Sequence, residues 1–252
     1  MHKRRLAITE LVNTRGRTEL QQLADTFDVS VQTIRTDVRI LAQQGLVLRN
    51  HGEVMPFPHR ENISYDQRRI RNAAGKRKIG ELCATWLNGF QSVFLGTGST
   101  LAELAAQLGP LRGLQVYTNN LHAARLLCEH QDCALTVAGG RVRLRDQDVI
   151  GGDALRFFQR YHADIAITSV GAMDSSGRLF DYNDDEVMAR EAMLEQSRFH
   201  ILLIDSSKFD NSAPCSAGQL EQYDLVVTDA PLSSRLQGQL LAGGGELLQQ
   251  KP

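Results

Sequence analysis

The four cysteines of this 252-residue chain (Cys83, Cys128, Cys133 and Cys215) form no Cys-x-x-Cys pair, and no histidine stands at zinc-finger spacing from them. That excludes a disulfide-stapled scaffold and a zinc-built one, leaves the cysteines as reduced thiols, and gives no reason to expect a metal or cofactor. No apolar run approaches the roughly 20 residues needed to cross a bilayer. The opening MHKRRLAITE passes straight into an amphipathic helix without the apolar stretch of a signal peptide, so the expected setting is cytoplasmic with no membrane partner. Fixed-period repeats and low-complexity tracts are also lacking. Net charge is nearly absent at −1, yet residues 1–80 carry 15 Lys and Arg against 8 Asp and Glu, whereas the other 172 carry 13 against 21. A basic head on an acidic body suggests that only the head approaches a polyanion.

What is present begins with that head. Leu20, Leu23, Ala24 and Phe27 share one helical face, opened by Thr18 and Glu19 with Thr18 as the expected cap and Gln21 closing a capping box. Asp28 and Val29 turn the chain, and Ser30 caps a second helix, SVQTIRTDVR, that buries Val31, Ile34, Val38 and Leu41. Ile8, Leu11 and Val12 supply a third apolar stripe ending at Gly16, and LVLRN at 46–50 reads as a strand turning at His51 and Gly52 to make a wing. Two short amphipathic helices joined by a tight turn make a helix-turn-helix. Its candidate DNA contacts are Ser30, Gln32, Thr33, Arg35, Thr36 and Arg39, with Arg49 and His51 on the wing. Arg and Gln can bond base edges bidentately, and Thr can reach a phosphate or a thymine methyl. A solvated polar face, or a head that binds protein instead, gives the same pattern without duplex binding.

Pro56 and Pro58 break the pattern, and the polar stretch after them reads as a connector, which divides the chain into a head at 1–56, a linker at 57–75 and a body at 76–252. In the body a helix from about Ile79 leads to apolar strands at 92–96, 114–118, 133–140, 163–170, 199–205 and 223–229, alternating with helical stretches. Such alternation predicts a mostly parallel α/β sheet covered on both faces.

Ligands of such sheets sit beyond the carboxyl ends of the strands. Gly96-Thr97-Gly98-Ser99-Thr100 lies there, between a strand and a helix whose Leu101, Leu104, Ala105 and Leu108 share a face. Glycines, hydroxyls and a helix start suit a phosphate, although a tight strand-to-helix turn needs the same residues. Leu101 replaces the third glycine of a dinucleotide fingerprint, and no Walker lysine follows. Other strand ends offer Asn119 and Asn120, of which Asn120 can equally cap the next helix; Gly139, Gly140 and Arg141; Glu186, which can equally serve its helix dipole; and Lys208.

These residues together resemble the DeoR family of bacterial transcriptional regulators, nearest in pattern to its glycerol-3-phosphate repressor type. The likeness covers nearly the whole chain and is most specific in VSVQTIRTDVRILAQQGLVLRNHG at 29–52, followed in order by GTGST, TNN, AGGR, the Glu186 region and DSSKF. It implies a winged helix-turn-helix joined to a sugar-phosphate sensor similar to ribose-5-phosphate isomerase, an operator partner, a phosphorylated sugar or related anion as effector, and a homo-oligomer, dimer or tetramer. The expected function is repression of a carbohydrate operon. Three positions depart from the family pattern: Glu53 for a wing glycine, Thr36 for a common arginine, and Gly96 for a frequent aspartate. The last makes the loop isomerase-like, so an isomerase with an accessory DNA-binding head is the alternative. Against it, SVGAMD lacks an acidic cluster and AGGR lacks a lysine before its glycines, although Asp174, Glu186 and Lys208 remain.

Overall fold

A computed structural model of the chain describes residues 2–43, 46–50, 52–56, 64–109, 112–130 and 132–249. Two compact units divide it, Met1–Ala73 and Ala74–Pro252. In the first, α1 (His2–Arg15), α2 (Leu20–Thr26) and α3 (Val31–Gln43) accompany β1 (Thr18–Glu19), β2 (Val47–Asn50) and β3 (Glu53–Pro56), which form an antiparallel sheet in the order β1-β3-β2. The three helices and the wing share one core, in which Ile8, Val12, Leu23, Ile34, Val38, Val47 and Val54 are fully buried. At about 1.5–3 kcal/mol for each such side chain, this burial is what lets short helices persist.

Ser30 caps α3 as expected, its Oγ accepting from Thr33 N at 3.2 Å. Thr18 does not cap α2. Its backbone pairs with Val54 in the sheet, its hydroxyl turns back to Gly16 O at 3.0 Å, and the cap is Glu19, whose N–H donates to Gln22 Oε1 at 3.4 Å. Pairing with the returning wing strand holds Thr18 extended and moves the capping box one residue along. Within the stretch read as a connector, Tyr65–Ile70 forms α4, capped by Ser64. The next helix, α5 (Ala73–Trp86), starts six residues before Ile79.

The second unit continues with β4 (Ser92–Leu95), α6 (Ser99–Ala105), β5 (Leu114–Thr118), α7 (Leu121–Leu127), β6 (Cys133–Val137), β7 (Val142–Arg143), β8 (Asp148–Val149) and α8 (Gly152–Arg160). Then follow β9 (Ala163–Thr168), β10 (Ala172–Met173), β11 (Arg178–Asp181), α9 (Asp184–Glu195), β12 (Ser197–Leu203), β13 (Cys215–Gln219), β14 (Leu225–Thr228), α10 (Ser234–Ala242) and β15 (Glu246–Gln249). Seven strands make one parallel sheet in the order β15-β14-β12-β9-β4-β5-β6. Side chains alternate across it: Val93 and Leu95 pack with α5 and α6, whereas Phe94 packs with Phe158 of α8 and Met193 of α9. Leu101, Leu104 and Ala105 of α6 are buried, as is Leu108 three residues beyond its end. Beside this sheet stand an antiparallel sheet, β10-β11-β13, and a hairpin, β7-β8.

The chain enters the parallel sheet at β4, winds outward to β5 and β6, then crosses to β9 on the other side of β4 and winds outward again. The loops after β4 and β9 therefore part in opposite directions, which opens a crevice at the carboxyl edge.

Candidate functional site

On the head, Gln32, Arg35 and Arg39 are exposed along one side of α3, with Ser30 at its start and Arg49 exposed on the wing. Thr33 and Thr36 are half-buried and engaged locally: the Thr33 hydroxyl lies 2.8 Å from that of Ser30, and Thr36 Oγ1 donates to Gln32 O at 3.1 Å. His51 lies outside the described residues. Asp28 turns the chain between helices in a left-handed conformation, φ 48°, which aspartate tolerates.

Two features of the head were not legible from side-chain type. Asp37, only 1% exposed on the inner side of α3, accepts from Arg4 Nε at 2.7 Å and Arg5 Nε at 2.9 Å, tying α1 to the helix that presents Arg35. Burial alone raises the Asp37 carboxyl, but the hydrogen bonds and charges of Arg5 and Arg4 more than offset it and hold it below its ordinary value. Glu53 pairs with Arg17, whose Nε donates to Oε2 at 2.6 Å, so the carboxylate that replaces the wing glycine has a cation beside it.

In the second unit, Gly96, Thr97, Asn119 and Glu186 line one cleft at the parting of β4 and β9, together with Thr168, Ser169, Ala189, Arg190 and Met193. The remaining residues marked in the sequence are placed around it. Ser99 and Thr100 are buried in the first turn of α6, and Gly98 caps that helix at φ 114°. Asn120, 1% exposed, lies beneath the loop: its Nδ2 donates to Gly96 O and Gly98 O, both at 3.2 Å, while Oδ1 accepts from His122 N and Ala123 N to cap α7. Of its two alternatives in the sequence the structure shows the cap, and the same amide also holds the loop, so loop and helix are joined. Gly139, Gly140 and Arg141 lead from β6 into the hairpin and do not line the cleft; Arg141 is exposed. Lys208 closes the short 3-10 turn after β12, capped by Asp205, and does not line the cleft either.

The hairpin brings in an arginine that no strand-end pattern marked. Arg143 binds Asp148 bidentately at 2.9 and 2.6 Å, lies 3.1 Å from Asp146, and pairs with Glu186 at the cleft. Burial works against its charge, yet Asp148, Glu186 and Asp146 hold the guanidinium above its ordinary value. The hairpin is also bonded to the end of β5, where Asn119 Nδ2 donates to Val149 O at 2.8 Å and Val149 N to Asn119 O at 3.0 Å.

Arg190 is the second residue missed. Four residues beyond Glu186 on α9, it is 6% exposed and pairs with Asp181 of β11. Burial lowers its basicity, but an arginine starts high enough to stay charged. Gly171 makes room for this pair, since a Cβ there would stand 2.8 Å from Asp181 Oδ1. Behind the cleft, Thr168 Oγ1 donates to Tyr223 OH at 3.1 Å. Asp174, the carboxylate left to an isomerase, is fully occupied: Ser176 N, Ser176 Oγ and Arg178 N bond Oδ1, and Arg178 Nε bonds Oδ2. Burial opposes its ionisation, but these donors prevail and hold it at about 2. Among the described residues no cluster of His, Cys, Asp and Glu could hold a metal ion, and no helix is long and apolar enough to cross a membrane.

Residues 4–55 match the DeoR-like helix-turn-helix domain, and residues 71–230 match the DeoR C terminal sensor domain. The chain is 33% identical over 229 residues to the glycerol-3-phosphate regulon repressor of Escherichia coli (strain K12), covering 91% of each. It is 32% identical over 231 residues to the HTH-type transcriptional repressor CsqR of the same organism, covering 90% of this chain and 88% of that one. Among solved structures, ribose 5-phosphate isomerase A from Methanocaldococcus jannaschii aligns over 55% of each chain at 17% identity and a TM-score of 0.41.

Proposed function

Because the chain belongs to the DeoR family of transcriptional regulators, we propose that it represses a carbohydrate-metabolism operon and that a phosphorylated sugar or related small anion, held at the cleft, sets its affinity for the operator. It is a DNA-binding regulator and not an enzyme. What carries the effector reading is the cleft itself: a crevice at the topological switch point, lined by the loop after β4, by Asn119 and Glu186, and by a buried arginine, in a chain whose other unit is a helix-turn-helix. On the head, Gln32, Arg35 and Arg39 meet base edges while Ser30, Thr33, Thr36, Arg49 and His51 meet the backbone or help position the helix. Residues 1–56 act as the head, 57–75 as the connector and 76–252 as the sensor. Paired half-sites on a duplex require at least a dimer.

The test starts from duplexes selected by the full-length protein from a random pool. Wild-type affinity for the selected sequence is expected to fall steeply with salt, and Arg35→Ala to weaken binding by about 1–3 kcal/mol, roughly 5- to 150-fold. Unchanged affinity in Arg35→Ala removes this residue from the interface, and a complete lack of salt-dependent binding removes the duplex as partner.

A further inference from the structure

Two side chains lining the cleft have unmet hydrogen-bonding capacity. Arg190 bonds Asp181 through Nη2, and its Nη1 has no partner among the described residues; Asn119 spends Nδ2 on Val149, and its Oδ1 has none. Arg190 is 6% exposed and Asn119 1%, so bulk water does not supply what is missing. Leaving buried polar atoms unmatched is costly, and such atoms beside a cleft mark what its ligand brings. The two are complementary in kind: Nη1 is a charged donor and calls for an anionic acceptor, whereas Oδ1 is an acceptor and calls for a donor, such as a hydroxyl.

Resting on the reading that the cleft holds the effector, we infer that Arg190 reads the effector's negative charge and Asn119 Oδ1 reads a hydroxyl on the same molecule. The ligand class is thereby narrowed to small hydroxylated anions. Inorganic phosphate brings the charge but no carbon-borne hydroxyl, and an uncharged polyol brings hydroxyls but no charge. A phosphorylated polyol or sugar satisfies both. Glu186 faces the same cleft but is held by Arg143, which keeps its carboxylate from standing as an unneutralised charge against an incoming anion.

The assignment is tested by removing both charges of the buried pair together, which leaves no lone charge behind. Binding of glycerol 3-phosphate, fructose 6-phosphate, inorganic phosphate and glycerol to the full-length chain is followed by calorimetry and thermal shift. The wild type is expected to bind at least one phosphorylated probe more tightly than inorganic phosphate or glycerol. The double variant Arg190→Gln with Asp181→Asn, which removes both charges together, is expected to lose the preference for the phosphorylated probe over glycerol. A wild type that binds inorganic phosphate or glycerol as tightly as the phosphorylated probes, or a double variant that keeps the preference, overturns the assignment while the effector reading stands. A wild type that binds none of the phosphorylated probes overturns both.

Discussion

At the scale of single residues, the chemistry of this chain depends on what each polar atom has already been given. Asn120 looks like a ligand contact in sequence because it stands two residues beyond a strand. In the structure its amide is spent on the loop carbonyls of Gly96 and Gly98 and on the cap of α7. Asn120→Ala is therefore expected to cost about 2–3 kcal/mol, the combined loss of a cap and of buried carbonyl partners. A fall in the urea midpoint at unchanged slope checks this, and a loss below about 0.5 kcal/mol argues against the scaffolding role. Asn119, next to it, keeps an acceptor unused beside the cleft. The sequence places both asparagines at a strand end but cannot tell them apart, since the difference lies in which long-range backbone groups reach each amide. Arg143 and Arg190 were illegible for the same reason: one sits in a two-residue strand and one in mid-helix, and only folding brings them to Glu186 and Asp181.

Among the elements, those with a strong apolar period were legible and those without were not. Strands β4 and β14 lie within apolar runs seen in the sequence, because a strand buried on both faces must be apolar almost throughout. By contrast β13, CSAGQ, and β15, ELLQ, carry no such signal and owe their existence to the neighbours they pair with. In the head, the turn and the α3 cap were readable locally, whereas the clamp from Asp37 to Arg4 and Arg5 spans over thirty residues. Asp37→Asn is expected to destabilise the head by about 3 kcal/mol, because removing one partner strands charges that were paired. Hydrogen exchange over α1 and α3 reports it, with protection falling there while the parallel sheet keeps its own. The clamp also sets an acid response. A carboxyl held below its ordinary value stabilises the fold above the ordinary carboxylate range of about 4, and loses that contribution as pH falls through its folded value. Amide protection in α1 and α3 should thus decline below about pH 4 in the wild type and show a weaker pH dependence in Asp37→Asn.

For the whole molecule, charge and topology divide the labour. Residues 1–73 carry 12 Lys and Arg against 8 Asp and Glu, and this excess and the exposed side of α3 belong to the unit that meets the duplex, whereas the switch point of the parallel sheet belongs to the unit that meets the effector. An effector alters duplex affinity only by binding the two functional states unequally, and the duplex must then alter effector affinity by the same factor. The most direct test is to measure duplex affinity with and without a saturating phosphorylated probe, and the probe's affinity with and without duplex. A shift of roughly 5- to 150-fold, equal in both directions, is the predicted result. Duplex affinity that stays constant across every phosphorylated sugar and polyol offered, at concentrations that occupy the cleft, would contradict the account.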